Sequence, residues 1–153
     1  MKLSARSRYA TRILIDIALH DHEAPVNTTS ISERTGISVQ FIEQILKSLK
    51  AASLVISKRG AAGGYQLSRP ADTITLGDII RIMEGPIALT DCCSNAQVCT
   101  RSDFCMTRDA WVHVSEVVAN ALDSLKLTDL IQGIHPACPD EPDSPVPSPS
   151  TCA

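Results

Sequence analysis

The chain has 153 residues, 44% of them hydrophobic and 20% charged, enough for one compact domain with an appendage and too little for two full domains. Its formal charge of −3 conceals unlike halves: residues 1–70 carry ten Lys/Arg against five Asp/Glu, and residues 71–153 four against twelve. A basic N-terminal part suits a polyanionic partner, and with Arg12 and Asp16 interrupting the first apolar segment neither a signal peptide nor a membrane span is expected.

From Arg6 to His20, Ala10, Ile13, Leu14, Ile17 and Ala18 recur at three- and four-residue steps, the stripe of an amphipathic helix. After a turn at Pro25, Thr28 and Thr29 are expected to cap a short helix that Gly36 ends in a left-handed conformation. Ser38 is the expected cap of the next helix, with Phe41, Ile42, Ile45, Leu46 and Leu49 facing inward. Leu54–Lys58 and Gly64–Ser68 read as two short strands around a glycine-containing loop. Helix, turn, helix, hairpin is the order of a winged helix.

Thr75 caps a further helix, Leu76 to Met83, which Gly85 and Pro86 end. A loop without an evident hydrophobic core then carries Cys92, Cys93, Cys99 and Cys105. From Thr107 to Leu125, the positions Trp111, Val114, Val118, Ala121 and Leu125 have the spacing of a helix packing seam, which predicts a dimer helix. The ending, HPACPDEPDSPVPSPSTCA, holds six of the nine prolines and reads as a disordered tail over 133–153.

On the second helix of the helix-turn-helix, Gln40, Glu43, Gln44 and Lys47 share the face opposite the apolar one, so that the helix can pack and read DNA at once. Gln, Glu and Arg match the donor and acceptor edges of bases in the major groove. Lys47, Lys50, Lys58 and Arg59 are candidate phosphate or minor-groove contacts, expected to make affinity fall with salt. The glycine loop RGAAGG lacks the Lys-Ser/Thr of a phosphate-binding loop and precedes a strand, so it reads as a wing tip rather than a nucleotide site. No nucleophile–base motif or cofactor fingerprint suggests an enzyme.

Six cysteines in a chain without an export signal point to metal, cluster or redox chemistry in a reducing compartment, and the expected location is the cytoplasm. Cys93, Cys99 and Cys105 are spaced C-x5-C-x5-C, so that one loop can aim three thiolates at one centre. Three is one short of the usual four, and the spacing is not the C-x2-C of common zinc knuckles, though zinc stays open. Cys138 and Cys152 fall in the tail and are not assigned to the site.

These residues resemble the IscR-type iron–sulfur regulators, members of a winged-helix family that also includes nitric-oxide-sensing and cysteine-metabolism repressors. The likeness rests on KLSARSRYATRILIDIAL, ISERTGISVQFIEQILKSLKAASLV, KRGAAGGYQL, and the three-cysteine spacing followed by Trp111, and it covers about residues 1–132. It implies a homodimer on double-stranded operator DNA, a recognition helix beginning near Ser38 with Glu43 as a specificity residue, a wing at Arg59, and a cluster on Cys93, Cys99 and Cys105. Where IscR-type proteins carry a histidine ligand to a 2Fe–2S cluster, three residues past the last cysteine, this chain has Arg108. Where the nitric-oxide-sensing relatives carry an aspartate ligand to a 4Fe–4S cluster, it has Arg8. Neither arginine can coordinate a cation, which leaves Cys92, Asp91, Asp109, His113, a partner-subunit group or a small exogenous ligand for the fourth position.

The expected architecture is mainly α with a small β-hairpin wing: a winged helix-turn-helix over 1–70, cluster loop and dimerisation helices over 71–132, and the tail over 133–153. The expected function is a homodimeric DNA-binding regulator, repressor or activator, that senses cluster status or redox or nitrosative stress. The alternative is an iron–sulfur interaction or electron-carrier protein without sequence-specific DNA binding.

Overall fold

The computed structural model describes residues 3–133 except 23, 61, 102 and 103, and of Ala96 only the backbone. Apart from Gly133, the tail expected over 133–153, with Cys138 and Cys152, lies outside the described residues.

Helix α1 (Ala5–His20) starts at Ser4, whose hydroxyl accepts from the Arg6 N–H at 3.2 Å, and it buries Ala10, Ile13, Leu14, Ile17 and Ala18 as the periodicity predicts. Helix α2 (Thr28–Thr35) corrects one expectation: its cap is Asn27, whose Oδ1 accepts from the Ser30 N–H at 2.8 Å, and Thr28 and Thr29 are its first two residues. The carboxamide of Asn27 reaches the amide three residues on, which places the helix start one residue earlier. Gly36 takes φ 71° at the other end, the left-handed conformation in which a side chain costs energy.

Helix α3 (Val39–Ala51) follows a three-residue link, Gly36, Ile37 and Ser38. Ser38 precedes it, but its side chain makes no cap bond; its carbonyl accepts from Phe41 and Ile42 at 3.0 Å each. Ile42, Ile45, Leu46 and Leu49 are buried, while Phe41 is half-buried and meets the Tyr9 ring edge-on at 5.6 Å. Strands β1 (Val55–Lys58) and β2 (Gly64–Leu67) pair antiparallel, Val55 opposite Leu67 and Lys58 opposite Gly64. Val26 adds a single-residue bridge to Tyr65, with bonds of 2.8 and 2.9 Å. A Cβ at Gly64 would stand 2.6 Å from the Val26 backbone, so only glycine lets this third strand approach.

Helix α4 (Leu76–Glu84) begins with a full capping box: Thr75 Oγ1 accepts from Asp78 N–H and Asp78 Oδ2 from Thr75 N–H. The cysteine loop has more local structure than expected, with the short helix α5 (Asp91–Ser94) and a 3₁₀ turn at Ala96–Val98. Helix α6 (Arg108–Ser124) is the expected long helix, and α7 (Leu127–Gln132) is a further one. Leu127 is fully buried, and its N–H donates to Ile74 O while Leu125 O accepts from Leu76 N–H, both at 2.8 Å. The end of α6 is thereby stitched to the start of α4.

One apolar core gathers α1, α2, α3, β1, α4 and Leu127, and among the described residues no side chain between 84 and 126 belongs to it. The apolar core thus belongs to the winged helix, α4 and Leu127, while α6 stands outside it. Among the described residues no helix is long and apolar enough to cross a membrane.

Candidate nucleic-acid interface and cysteine site

The polar face of α3 forms because the apolar positions already point at the core. Gln40, Glu43, Gln44 and Lys47 are all exposed, as is Ser38 just before them. Lys58 and Arg59 are exposed where β1 enters the hairpin loop, and Gly60 beyond them takes φ 121°. Among the described residues none of Lys47, Lys50, Lys58 and Arg59 makes a salt bridge. Lys50 differs from the others, because its Nζ donates to Ser57 Oγ at 2.6 Å and ties the helix to the wing. An uncommitted cationic rim around an exposed polar helix face is what a phosphate backbone attracts.

This face is held at a fixed angle by an ion pair that the sequence does not reveal. Arg34, in the last turn of α2, donates from Nε and Nη2 to the two oxygens of Asp16, at 2.7 and 2.8 Å. Arg12 Nη1 adds a bond to Thr35 O at 3.2 Å, at the carbonyl end of the same helix, where a cation is favoured.

The cysteines lie outside the core. Cys92, Cys93, Cys99 and Cys105 are all half-buried free thiols. Thr90 Oγ1 stands 3.2 Å from Cys92 Sγ and 3.0 Å from Cys93 Sγ. Cys105 Sγ stands 3.4 Å from Thr107 Oγ1. The Thr90 hydroxyl above all, with Ser115, the Thr90 backbone and Cys92, holds the Cys93 thiol below its ordinary pKa. The Thr107 hydroxyl and N–H, with the amide and charge of Arg108, do the same for Cys105. Both environments favour the thiolate, the form that binds metals. Cys99 is on the loop between them, and Asp91, Asp109 and His113 are exposed.

Among the described residues no three His, Cys, Asp or Glu side chains converge on a point that could hold a metal ion. Four free thiols on one loop are of the donor type that an iron–sulfur cluster takes.

Two contributors had only faint sequence signals. Thr90 is the residue before α5, and Ser115 is the one buried polar side chain described on α6. Ser115 Oγ accepts from Leu89 N–H at 3.0 Å and donates to Trp111 O at 2.7 Å, which pins the cysteine loop to the long helix. Also on α6, Trp111, Val114 and Val117 are 42–52% exposed, apolar area of the kind that marks an interaction surface.

The family model described as "Iron-dependent Transcriptional regulator" matches residues 3–133. The chain belongs to this family, Rrf2. Protein rrf2 of Nitratidesulfovibrio vulgaris is 39% identical over 132 residues, covering 86% of this chain and 88% of that one. The HTH-type transcriptional regulator IscR of Erwinia tasmaniensis is 37% identical, over 86% and 79% of the two chains. Among solved structures, CymR, the global cysteine regulator of B. subtilis, superposes with a TM-score of 0.71 at 36% identity, over 86% and 97% of the two chains. IscR of T. potens gives 0.69 at 34% identity, over 93% and 94%.

Family membership and the winged-helix fold make this protein a DNA-binding transcriptional regulator rather than an enzyme. An Rrf2 assignment also weighs against an electron carrier without affinity for DNA.

Proposed function

We propose that this Rrf2-family regulator is a cytoplasmic homodimer that binds operator DNA through α3 and the wing and senses iron–sulfur cluster status through Cys93, Cys99 and Cys105. The observation that carries the reading is the half-buried free thiols at C-x5-C-x5-C spacing, immediately ahead of a helix with an uncovered apolar face. Trp111, Val114 and Val117 are the surface on which two copies would join.

An iron–sulfur cluster supplies a centre whose presence and oxidation state follow iron supply and oxidants. The chain's own residues connect that centre to DNA. The Arg108 N–H donates to Cys105 O at 3.2 Å, so the first residue of α6 moves with the last cysteine. At the far end of α6, Asp123 accepts from Arg81 of α4 in two bonds of 2.6 Å. Helix α4 packs in the core with α1 and α3. Differential DNA affinity then requires that the dimer have two arrangements, each favoured by one loop state.

Anaerobic purification with iron and sulfide analysis and Mössbauer spectroscopy tests the reading. Roughly stoichiometric iron and sulfide, lost in Cys93→Ala, Cys99→Ala and Cys105→Ala, is the expected result. A colourless, iron-free wild type would leave a winged-helix regulator that senses through thiols or zinc.

A further inference from the structure

Arg108 holds both ends of the cysteine loop: its Nε donates to Cys92 O at 3.3 Å, and its backbone N–H donates to Cys105 O. A side chain that cannot coordinate iron therefore brings the Cys92 segment beside the last cysteine. Adjacent cysteines on an extended strand point to opposite sides, but here Thr90 Oγ1 touches both Cys92 Sγ and Cys93 Sγ. One hydroxyl reaches both only if the two sulfurs lie on the same side of the turn, and α5 supplies that turn.

The other candidates point elsewhere. Ser115 lines one cavity together with Cys93, which marks the side of α6 that faces the cysteines. His113 is two residues away, about 200° around the helix, and Asp109 is six residues away, about 120° around; both are exposed. Asp91 is exposed at the start of α5.

We propose that Cys92 is the fourth cluster ligand, so that Cys92, Cys93, Cys99 and Cys105 form an all-cysteine set with Arg108 as its clasp. The assignment rests on the cluster reading given above. Each thiol releases its proton to solvent on ligation, and the step involves no oxidation. With both sulfurs on one side of the turn, the two neighbouring thiolates would hold one cluster by taking separate iron atoms.

The test compares wild type with Cys92→Ala and Cys92→Ser, all purified anaerobically, by iron and sulfide per chain, Mössbauer spectra and pulsed EPR of the reduced cluster. Wild type is expected to show no nitrogen coupling from a histidine. Cys92→Ala is expected to hold iron at least about tenfold less tightly, the least that losing an outer-shell partner costs, with helix content by circular dichroism unchanged. Cys92→Ser, which keeps a weaker oxygen donor, is expected to retain a cluster with a shifted spectrum. Undiminished iron and an unaltered spectrum in Cys92→Ala, or clear nitrogen coupling in wild type, would overturn the assignment while leaving the cluster reading intact. A wild type without iron or sulfide overturns the cluster reading and this assignment with it.

Discussion

Arg34 and Asp16 form a two-pronged ion pair between α2 and α1, with Asp16 buried on the core side of its helix. Because Arg34 sits two residues before the Gly36 corner, the pair fixes the angle at which α3 is presented. Asp16→Ala is expected to cost about 1–3 kcal/mol of stability and to weaken operator binding beyond that loss. Urea denaturation and DNA titration measure both. An unchanged unfolding midpoint would show that the pair is ornamental.

The exposed face of α3 predicts a division of labour. Glu43→Ala and Gln44→Ala are each expected to change affinity by about 1–3 kcal/mol and to relax preference at one base position. Lys58→Ala and Arg59→Ala are expected to weaken all sequences alike and to lower the salt slope by about 1 each. Binding titrations over a range of salt, on a library of operator variants, separate the two behaviours. A sequence-dependent loss from Lys58→Ala would reassign it to base reading.

The sequence is most informative where one side of an element has to be dry. The stripes on α1 and α3 and the Thr75 cap all correspond to features of the fold. Helix α7 was missed because six residues are too few to show a period, and what orders it is the long-range pairing of Leu127 with Ile74. The Asn27 cap was misplaced by one residue because Asn, Thr and Thr stand in a row and each is a good cap. At the cysteines, spacing picked out the three thiols proposed as donors. It carried no information about Thr90 or Ser115, whose role depends on contacts across the loop.

The uncovered stripe on α6 predicts the oligomeric state. Trp111→Asp together with Val117→Asp is expected to convert a dimer to a folded monomer, because neither side chain belongs to the core and aromatic anchors dominate such interfaces. Sedimentation equilibrium measures it. A double variant that stays dimeric would place the interface elsewhere.

Glu84 accepts from Ser7 Oγ and from Ser4 N–H, joining α4 to the start of α1. The Ser7 hydroxyl chiefly, helped by Ser4, lowers the carboxyl pKa below its ordinary value. A lowered folded pKa means that the stabilisation is present above the ordinary carboxylate range and lost as pH falls through the folded value. Wild type is therefore expected to melt above Glu84→Gln at about pH 6, with the gap closing toward about pH 3. A gap that stays constant over this range would mean that ionisation of Glu84 contributes nothing.

Whether the state of the cysteine loop sets affinity for DNA is measured by operator binding of cluster-loaded, oxidised and cluster-free protein at one salt concentration. Dissociation constants are expected to differ by about fivefold or more between states, with Cys99→Ala fixed at the cluster-free value. Superimposable binding curves for all three states would contradict this expectation, leaving a DNA-binding regulator whose cysteines do not govern the operator.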